Sequence, residues 1–298
     1  MDLPGIYAAL TTPFAADGSV SLADLQYNIA RYNRTPLAGY VVLGSTGESV
    51  LLSRAEMDSI LIAAKQAASE DKRLIAGTGA ESTVETIERT KRAAELGYEF
   101  ALVKTPYYYK PVYQPAVFVE HYRRVADASP IPILLYSVPQ FTGVALEAPE
   151  VAAIAEHPNV IGMKESSGNV QRSSEIISAT PRTFQMLVGS APTLLASLAV
   201  GVRGAILALA SALPEKCVAL YELVRRGQWD EARESQKALM TASRRILSEA
   251  GIAGIKFVMD QRGYRGGLPR LPLLPVSEPA RQRILEVLAS LEPATARA

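Results

Sequence analysis

The residue of this chain that most directly suggests chemistry is Lys164, which lies in the segment NVIGMKESSG at positions 159–168. The apolar run before it is typical of a buried strand, so the lysine is predicted to lie where that strand ends. A lysine at the mouth of an apolar barrel is partly removed from water, which favours its neutral amine and makes it a nucleophile toward carbonyl carbon. The competing interpretation is an ordinary solvated lysine at a strand end.

Hydroxyl-bearing residues follow several other apolar runs. They are Ser45 and Thr46 in GSTGE, Tyr136 in YSVP, and Tyr107, Tyr108 and Tyr109 after Lys104 in KTPYYY. A neutral amine beside phenol hydroxyls suits imine chemistry on a carbonyl compound. The amine attacks, the phenol relays the proton, and the iminium draws electrons from the adjacent C–C bond. Structural roles compete, because the tyrosines could form an apolar rim at a subunit contact and Ser45 could simply cap a turn.

Eight short apolar runs alternate with longer helical patterns, and these elements must position the polar groups. The runs cover residues 6–11, 40–44, 74–77, 100–104, 133–136, 160–164, 185–189 and 204–208. Strands that alternate with helices predict a parallel sheet, and eight such units close an α/β barrel. We therefore expect a (β/α)8 TIM barrel, in which the carboxyl ends of the strands build the active site.

The sequence after the eighth strand predicts a helical appendage. Residues 1–226 are expected to form the catalytic barrel, and residues 227–298 a C-terminal helical region packed on it. Helices are expected over 228–250, 254–261 and 278–291, with Gly251 ending the first of them. A serine three residues before a carboxylate, such as Ser53 with Glu56, predicts where earlier helices begin.

Composition narrows the class of partner and the cellular location. The net charge of +1 gives no electrostatic reason to expect nucleic acid or an anionic membrane surface. Two histidines and one cysteine argue against a His/Cys metal site, so no metal is expected. The single cysteine, Cys217, fits a reducing, cytoplasmic compartment. No secretory signal is expected at the start, and the apolar stretch 194–213 is too interrupted to predict a membrane span.

Four motifs resemble those of the dihydrodipicolinate synthase / N-acetylneuraminate lyase superfamily of Schiff-base aldolases. They are GSTGE at 44–48, TPYY at 105–108, YSVP at 136–139 (YNVP in the family) and GMKE at 162–165. They occur in the family's order and with its separations, and the similarity extends from about residue 6 to about residue 275. The resemblance implies the barrel fold, a pyruvate-derived 2-oxo acid as small-molecule substrate, and no cofactor beyond the covalent lysine imine.

The resemblance also implies a role for individual positions. Lys164 would form the imine with the 2-oxo carbon, Tyr136 would be the acid–base phenol, and Ser45 and Tyr108 would join it in a proton relay. The substrate-binding positions that it implies are the carboxylate-binding turn with Thr46 and Gly47, and the pocket walls Gly189 and Ile206. A homo-oligomer, as a tetramer, is implied as well, with one tyrosine of 107–109 reaching the neighbouring subunit's site.

Two positions depart from the superfamily pattern. Phe141 occupies the position at which dihydrodipicolinate synthases carry an arginine that grips the carboxylate of the aldehyde substrate. Phenylalanine cannot make that bidentate pair, which weakens the synthase assignment. Lys104 stands where relatives usually have an apolar residue. It could contact an acidic substrate, influence the amine of Lys164, or face solvent, and the sequence leaves these alternatives open.

A finer resemblance points to 4-hydroxy-2-oxoglutarate aldolases, which split their substrate into pyruvate and glyoxylate. It rests on segments at 79–83, 136–139, 157–164, 227–229 and 251–256. In that assignment Ser45 and Ser166 are candidate contacts for the substrate carboxylates. The alternatives are dihydrodipicolinate synthase, a 2-keto-3-deoxy sugar acid aldolase or dehydratase, and a non-catalytic 2-oxo acid sensor on the same scaffold. A phosphate-binding barrel enzyme is disfavoured because the loops after strands seven and eight lack basic residues.

Overall fold

The computed structural model describes residues 2–291, in which eight strands follow one another in chain order around a closed barrel. All neighbouring strands are parallel, and the last strand pairs with the first. The strands are β1 Gly5–Ala9, β2 Gly39–Val42, β3 Arg73–Gly77, β4 Phe100–Lys104, β5 Ile133–Ser137, β6 Val160–Glu165, β7 Gln185–Val188 and β8 Gly204–Leu207. The predicted (β/α)8 barrel is confirmed.

The helices lie between and after these strands. Around the barrel they are α1 Leu22–Tyr32, α2 Arg54–Ala67, α3 Thr83–Glu95, α4 Pro115–Ala128, α5 Pro139–Thr142, α6 Ala148–Ala155, α7 Val170–Ala179, α8 Leu194–Ala199, α9 Leu209–Ala212 and α10 Pro214–Arg225. The C-terminal ones are α11 Trp229–Ser243, α12 Gly251–Gln261 and α13 Glu278–Leu291. Within the described residues, none of these helices has the length and apolar character needed to cross a membrane.

Alternation along each strand separates two apolar layers. In β4, Phe100 and Leu102 belong to the cluster inside the barrel, whereas Ala101 and Val103 belong to the layer between strands and helices. Side chains of a strand alternate between the two faces of a sheet, so Lys104 continues the inward set. The same alternation in β6 puts Met163 in the outer layer and turns Lys164 inward. Both lysines therefore point toward the barrel axis.

Helix starts follow the sequence signals. Ser53 Oγ accepts from the Glu56 N–H, and the Glu56 carboxylate accepts from the Ser53 N–H at 2.8 Å, which is a complete capping box at the start of α2. The end of β2 differs from the prediction. The strand ends at Val42, because Leu43 adopts a left-handed backbone conformation with φ of 61°, which is not an extended conformation.

The C-terminal region differs from the prediction in two places. The expected helix over 228–250 is split into α11 and a π-helical turn, Arg244–Ser248. The short helix expected over 254–261 starts earlier, since Gly251, with φ of 61°, begins α12. The division into a barrel of 1–226 and a helical region of 227–298 stays a prediction, and residues 292–298 of the latter lie outside the described range.

Candidate active site

Lys164 lies at the carboxyl end of β6, with only 4% of its surface exposed. Strand register places it directly beside Tyr136 of β5, and its Nζ lies 4.2 Å from the centre of the Tyr136 ring. The ion pairs of the described residues include none to Lys164. The amine is thus enclosed against an aromatic face and is not neutralised by a carboxylate within residues 2–291.

Tyr136 links the lysine to the loop after β2. Its side chain is buried, and its Oη lies 3.2 Å from Ser45 Oγ, a distance at which either hydroxyl can donate to the other. Ser45 starts a 3₁₀ turn, Ser45–Gly47, just after the end of β2. The amine, the phenol and the hydroxyl, predicted from three separate segments, are therefore brought together at one end of the barrel.

The 3₁₀ turn presents backbone groups beside these side chains. Its own hydrogen bonds run from the Gly47 and Glu48 N–H groups to the carbonyls of Gly44 and Ser45. The N–H groups of Ser45 and Thr46 precede those bonds, as the first N–H groups of a helical turn do. The turn is anchored at Gly47, whose carbonyl accepts from Thr12 Oγ1 at 2.7 Å. Such a turn can offer N–H groups to an anion.

The opposite wall is built from residues 166 and 189. A Cβ on Gly189 would lie 1.9 Å from Ser166 Oγ and 3.1 Å from Lys164 Cε, so only glycine fits there. Register of β7 with β8 pairs Val188 with Ala205, which puts Gly189 beside the buried Ile206. Ser166 Oγ is itself buried and has no hydrogen-bond partner within the described residues. A buried hydroxyl left without a partner is costly, so it suits a polar group of a bound molecule.

Lys104 occupies the same layer of the barrel as the central pair. Register places Lys104 beside Tyr136, just as it places Tyr136 beside Lys164. The Lys104 amine lies 4.6 Å from the centre of the Tyr107 ring. Burial holds the pKa of the Lys104 amine below its usual value, against the opposing influence of the Glu81 carboxylate. A void of about 20 Å³ is lined by Lys104, Tyr136 and Ser45 together.

Two predicted site residues lie on the surface of the single chain. Tyr108 is 71% exposed and Phe141 is 65% exposed. The segment of Tyr108 is held through its backbone, because Glu81 Oε2 accepts from the N–H groups of Tyr107 and Tyr108 at 2.9 and 2.8 Å. The structure therefore does not bring Tyr108 to the buried pair within one chain. Its relay role across a subunit boundary stays a prediction.

Two contributors to this region were not found from the sequence. Gln140 Nε2 donates to the carbonyl of Ser166 at 2.8 Å and so anchors the loop after β6. Lys256 of α12 reaches Glu48, next to the 3₁₀ turn, at 2.6 Å. A lone lysine inside the apolar sequence GIAGIKFVM was a usable signal for Lys256. Nothing in the sequence pairs Gln140 with Ser166. The described residues contain no group of three His, Cys, Asp or Glu side chains placed to hold a metal.

Comparison with known proteins decides the family. The model of the dihydrodipicolinate synthetase family matches residues 2–291. The chain belongs to this family. The superfamily resemblance of the four motifs is thereby confirmed, and with it membership among lyases and aldolases.

Curated relatives within the family are named for different activities. The chain is 36% identical over 284 residues to a 4-hydroxy-tetrahydrodipicolinate synthase of Exiguobacterium sp., covering 95% of this chain and 96% of that protein. It is also 36% identical over 285 residues to a protein of Emericella nidulans named "probable 4-hydroxy-2-oxoglutarate aldolase, mitochondrial", covering 93% of this chain and 92% of that protein. Because the sequence identity to both relatives is 36%, identity alone does not assign the reaction, and the residues of the site have to be considered.

A solved structure shows how closely the fold matches. A dihydrodipicolinate synthase from Bacillus anthracis superposes with a TM-score of 0.94 at 26% identity, covering 98% of this chain and all of that one. This agreement extends the family assignment from sequence to the complete barrel with its C-terminal helices.

Proposed function

We propose that this protein is a Schiff-base-forming lyase of pyruvate-derived 2-oxo acids, with Lys164 as the imine lysine. The preferred reaction is the cleavage of 4-hydroxy-2-oxoglutarate, or a close analogue, to pyruvate and an aldehyde. The observation that carries the proposal is the geometry of one amine. Lys164 Nζ is buried and lies 4.2 Å from the ring centre of Tyr136, whose hydroxyl is 3.2 Å from that of Ser45.

Imine formation uses these three groups in sequence. The nitrogen lone pair of Lys164 attacks C2 of the 2-oxo acid, and a proton passes from nitrogen to oxygen to give a carbinolamine. Tyr136 protonates the departing hydroxyl, water leaves, and a protonated imine remains. Ser45 connects the phenol to the proton supply at the mouth. The position of the phenol supports this role, because its ring lies against the amine and its hydroxyl is within hydrogen-bond distance of Ser45.

Cleavage then proceeds from the protonated imine. The Tyr136 phenolate left by that step removes the proton of the C4 hydroxyl, the C3–C4 bond breaks, and its electron pair moves through C3 to the iminium nitrogen. The aldehyde leaves, glyoxylate in the case of 4-hydroxy-2-oxoglutarate. Protonation of the enamine at C3 and hydrolysis by water release pyruvate and restore the lysine. Every atom of the products comes from the substrate and water, so no cofactor is consumed.

Carboxylate binding is assigned to two places in the pocket. The N–H groups of Ser45 and Thr46 would receive the carboxylate next to the 2-oxo carbon. Ser166 Oγ, buried without a partner among the described residues, would donate to a substrate oxygen. The role proposed for Ser166 is supported by its location, because Ser166 and Gly189 lie against Lys164 on the side of β7.

The second candidate is the condensation of pyruvate with aspartate semialdehyde, as the name of the Exiguobacterium relative suggests. Phe141 argues against it. An arginine at that position would pair with the carboxylate of the aldehyde, and a hydrogen bond to a charged group contributes roughly 1.5–3 kcal/mol. Its loss corresponds to one to two orders of magnitude in specificity against the semialdehyde.

Substrate comparison tests the choice of reaction. We expect kcat/KM for 4-hydroxy-2-oxoglutarate to exceed that for pyruvate with aspartate semialdehyde, with 3-deoxy sugar acids measured in parallel. Phe141→Arg should raise the synthase reaction by about ten-fold or more, because it restores the charged donor. Phe141→Leu, which alters the ring and adds no charge, is the matched control and should not. Efficient synthase turnover by the natural chain would overturn the assignment. A complete lack of turnover of any 2-oxo acid would favour the sensor alternative.

A further inference from the structure

A buried ion pair joins the C-terminal region to the loop after β2. Lys256 Nζ of α12 lies 2.6 Å from Glu48 Oε1, and both side chains are fully buried. The same amine donates to the carbonyl of Leu268 at 2.8 Å and lies 4.4 Å from the centre of the Phe14 ring. A buried ion pair rarely adds to the free energy of unfolding, because both charges lose their hydration. A role other than stability is therefore expected for this pair.

Arg270 adds a second connection from the same region. Its backbone N–H donates to the other carboxylate oxygen of Glu48 at 2.8 Å. Its guanidinium donates to both carboxylate oxygens of Glu56, at 2.9 and 2.6 Å, and to the carbonyl of Leu51 at 3.0 Å. Lys256 and Arg270 therefore hold Glu48 and the residues that follow it through five oxygen atoms: both carboxylate oxygens of Glu48, both of Glu56 and the carbonyl of Leu51.

Glu48 has a backbone conformation that needs such support. Its φ of 55° lies in the left-handed region, which non-glycine residues rarely adopt. It joins the turn Ser45–Gly47 to a second 3₁₀ turn, Ser49–Leu51. Glycine would take this conformation at no steric cost, so the carboxylate is what a glutamate contributes here. A strained residue persists only where its surroundings over-determine it.

We infer that Lys256 and Arg270 are positioning residues of the active site, which hold the 45–47 turn through Glu48. The C-terminal helical region is then a working part of the site and not an addition to a complete barrel. The inference rests on the proposed function in one respect, namely that the turn receives the substrate carboxylate. Neither residue takes part in the chemistry. Lys256 acts through the Glu48 carboxylate, and Arg270 acts through its backbone N–H on Glu48 and its guanidinium on Leu51 and Glu56.

The expected consequence is a binding effect. A turn released from Lys256 would move its N–H groups relative to Lys164, and a misplacement of about 1 Å can cost on the order of 10²-fold in a positioned reaction. The lysine itself and its contact with Tyr136 are untouched. The concentration of pyruvate needed for imine formation should therefore rise, while the amount of imine formed at saturation changes little.

Borohydride trapping of the pyruvate imine over a range of pyruvate concentrations separates these quantities. We expect Lys256→Met to raise the half-saturating pyruvate concentration about ten-fold or more and to change the trapped fraction at saturation by less than about three-fold. Where that variant does not fold, because it buries the Glu48 charge unpaired, Glu48→Gln/Lys256→Met leaves no buried charge and carries the same expectation. Arg283→Met is the matched control, because the Arg283–Glu249 pair (3.3 Å) also joins C-terminal elements but does not touch the turn.

Hydrogen exchange tests the mechanical link without any reaction. Peptides covering residues 44–52 should exchange faster in Lys256→Met than in the natural chain, whereas the β3 peptide should be unchanged in both. Equal protection of 44–52, or an unaltered half-saturating concentration in a folded variant, would overturn the inference. Should the natural chain and Arg283→Met form no adduct at all, the proposed function fails, and the exchange experiment still decides the positioning claim.

Discussion

At the residue scale, Tyr136 lies between the proposed imine lysine and Ser45. Its ring covers the Lys164 amine, and its hydroxyl is within hydrogen-bond distance of Ser45. Motif and strand-end position predicted these three residues, because the carboxyl ends of parallel strands meet at one mouth. The close approach of Ser166 Oγ to Gly189 could not be predicted from the sequence. It depends on a close approach of two strands that no local pattern encodes.

Tyr136→Phe tests this acid–base role. We expect kcat to fall by ~10²–10⁴-fold with little change in substrate affinity, because the ring still fills its space and only the transferable proton is lost. The free energy of unfolding should change by no more than about 1 kcal/mol, the scale of one hydrogen bond. Steady-state kinetics and urea denaturation give both values. A kcat within a few-fold of the natural enzyme would make Tyr136 a wall of the pocket only.

At the scale of elements, the strands were predictable to within two residues and the helix boundaries less so. Apolar runs of four to six residues between turn signals mark the strands directly. The break of the helix expected over 228–250 was missed, since a π-helical turn has no distinct local composition. The sequence also did not predict how deeply His121 of α4 is buried, with only 5% of its surface exposed.

His121 gives the α4 packing a measurable pH dependence. Its Nδ1 lies 2.9 Å from Thr83 Oγ1, and burial lowers its pKa to about 4. An unfolded histidine binds its proton near pH 6.5, so between pH 6.5 and 4 the unfolded state holds more protons than the folded one. The free energy of unfolding should therefore decrease as the pH falls, by about 2 kcal/mol from this group between pH 7 and pH 5.

Urea denaturation at a series of pH values checks this, with His121→Gln as the comparison. The variant has no titrating group at position 121, so its stability should decline less steeply from pH 7 to pH 5. Parallel declines in both proteins would show that the imidazole is not the group responsible.

At the scale of the whole molecule, the barrel fold was predicted by counting eight strand–helix units in the sequence. The ion pair between the barrel and the C-terminal region was not predicted. The ion pair of Lys256 with Glu48 joins residues 208 positions apart, and neither neighbourhood in the sequence points to the other.

The association of chains into an oligomer also concerns the whole molecule. Tyr108, Tyr109 and Val112 expose apolar surface on one loop, at 71%, 65% and 66%.

We predict a homotetramer in which this loop lies at a subunit contact, since aromatic clusters are enriched in interface cores. Sedimentation velocity at micromolar concentration should show the tetramer, and Tyr109→Glu should shift it toward smaller species. Turnover should fall with dissociation, because Tyr108 is expected to complete the relay of a neighbouring chain. Leu274→Glu, at an exposed apolar residue of the C-terminal segment, is the control. A monomeric natural chain with full activity would contradict the prediction.

The central claim is that Lys164 forms an imine with a 2-oxo acid, and one measurement addresses it directly. The protein is incubated with pyruvate, reduced with borohydride, digested and mapped by peptide mass spectrometry. We predict a single reduced pyruvate adduct on the peptide that carries Lys164, and none in Lys164→Ala, which should remain folded because the side chain lies at the barrel mouth. An adduct on Lys104 in its place, or no adduct with any 2-oxo acid tested, would contradict the account.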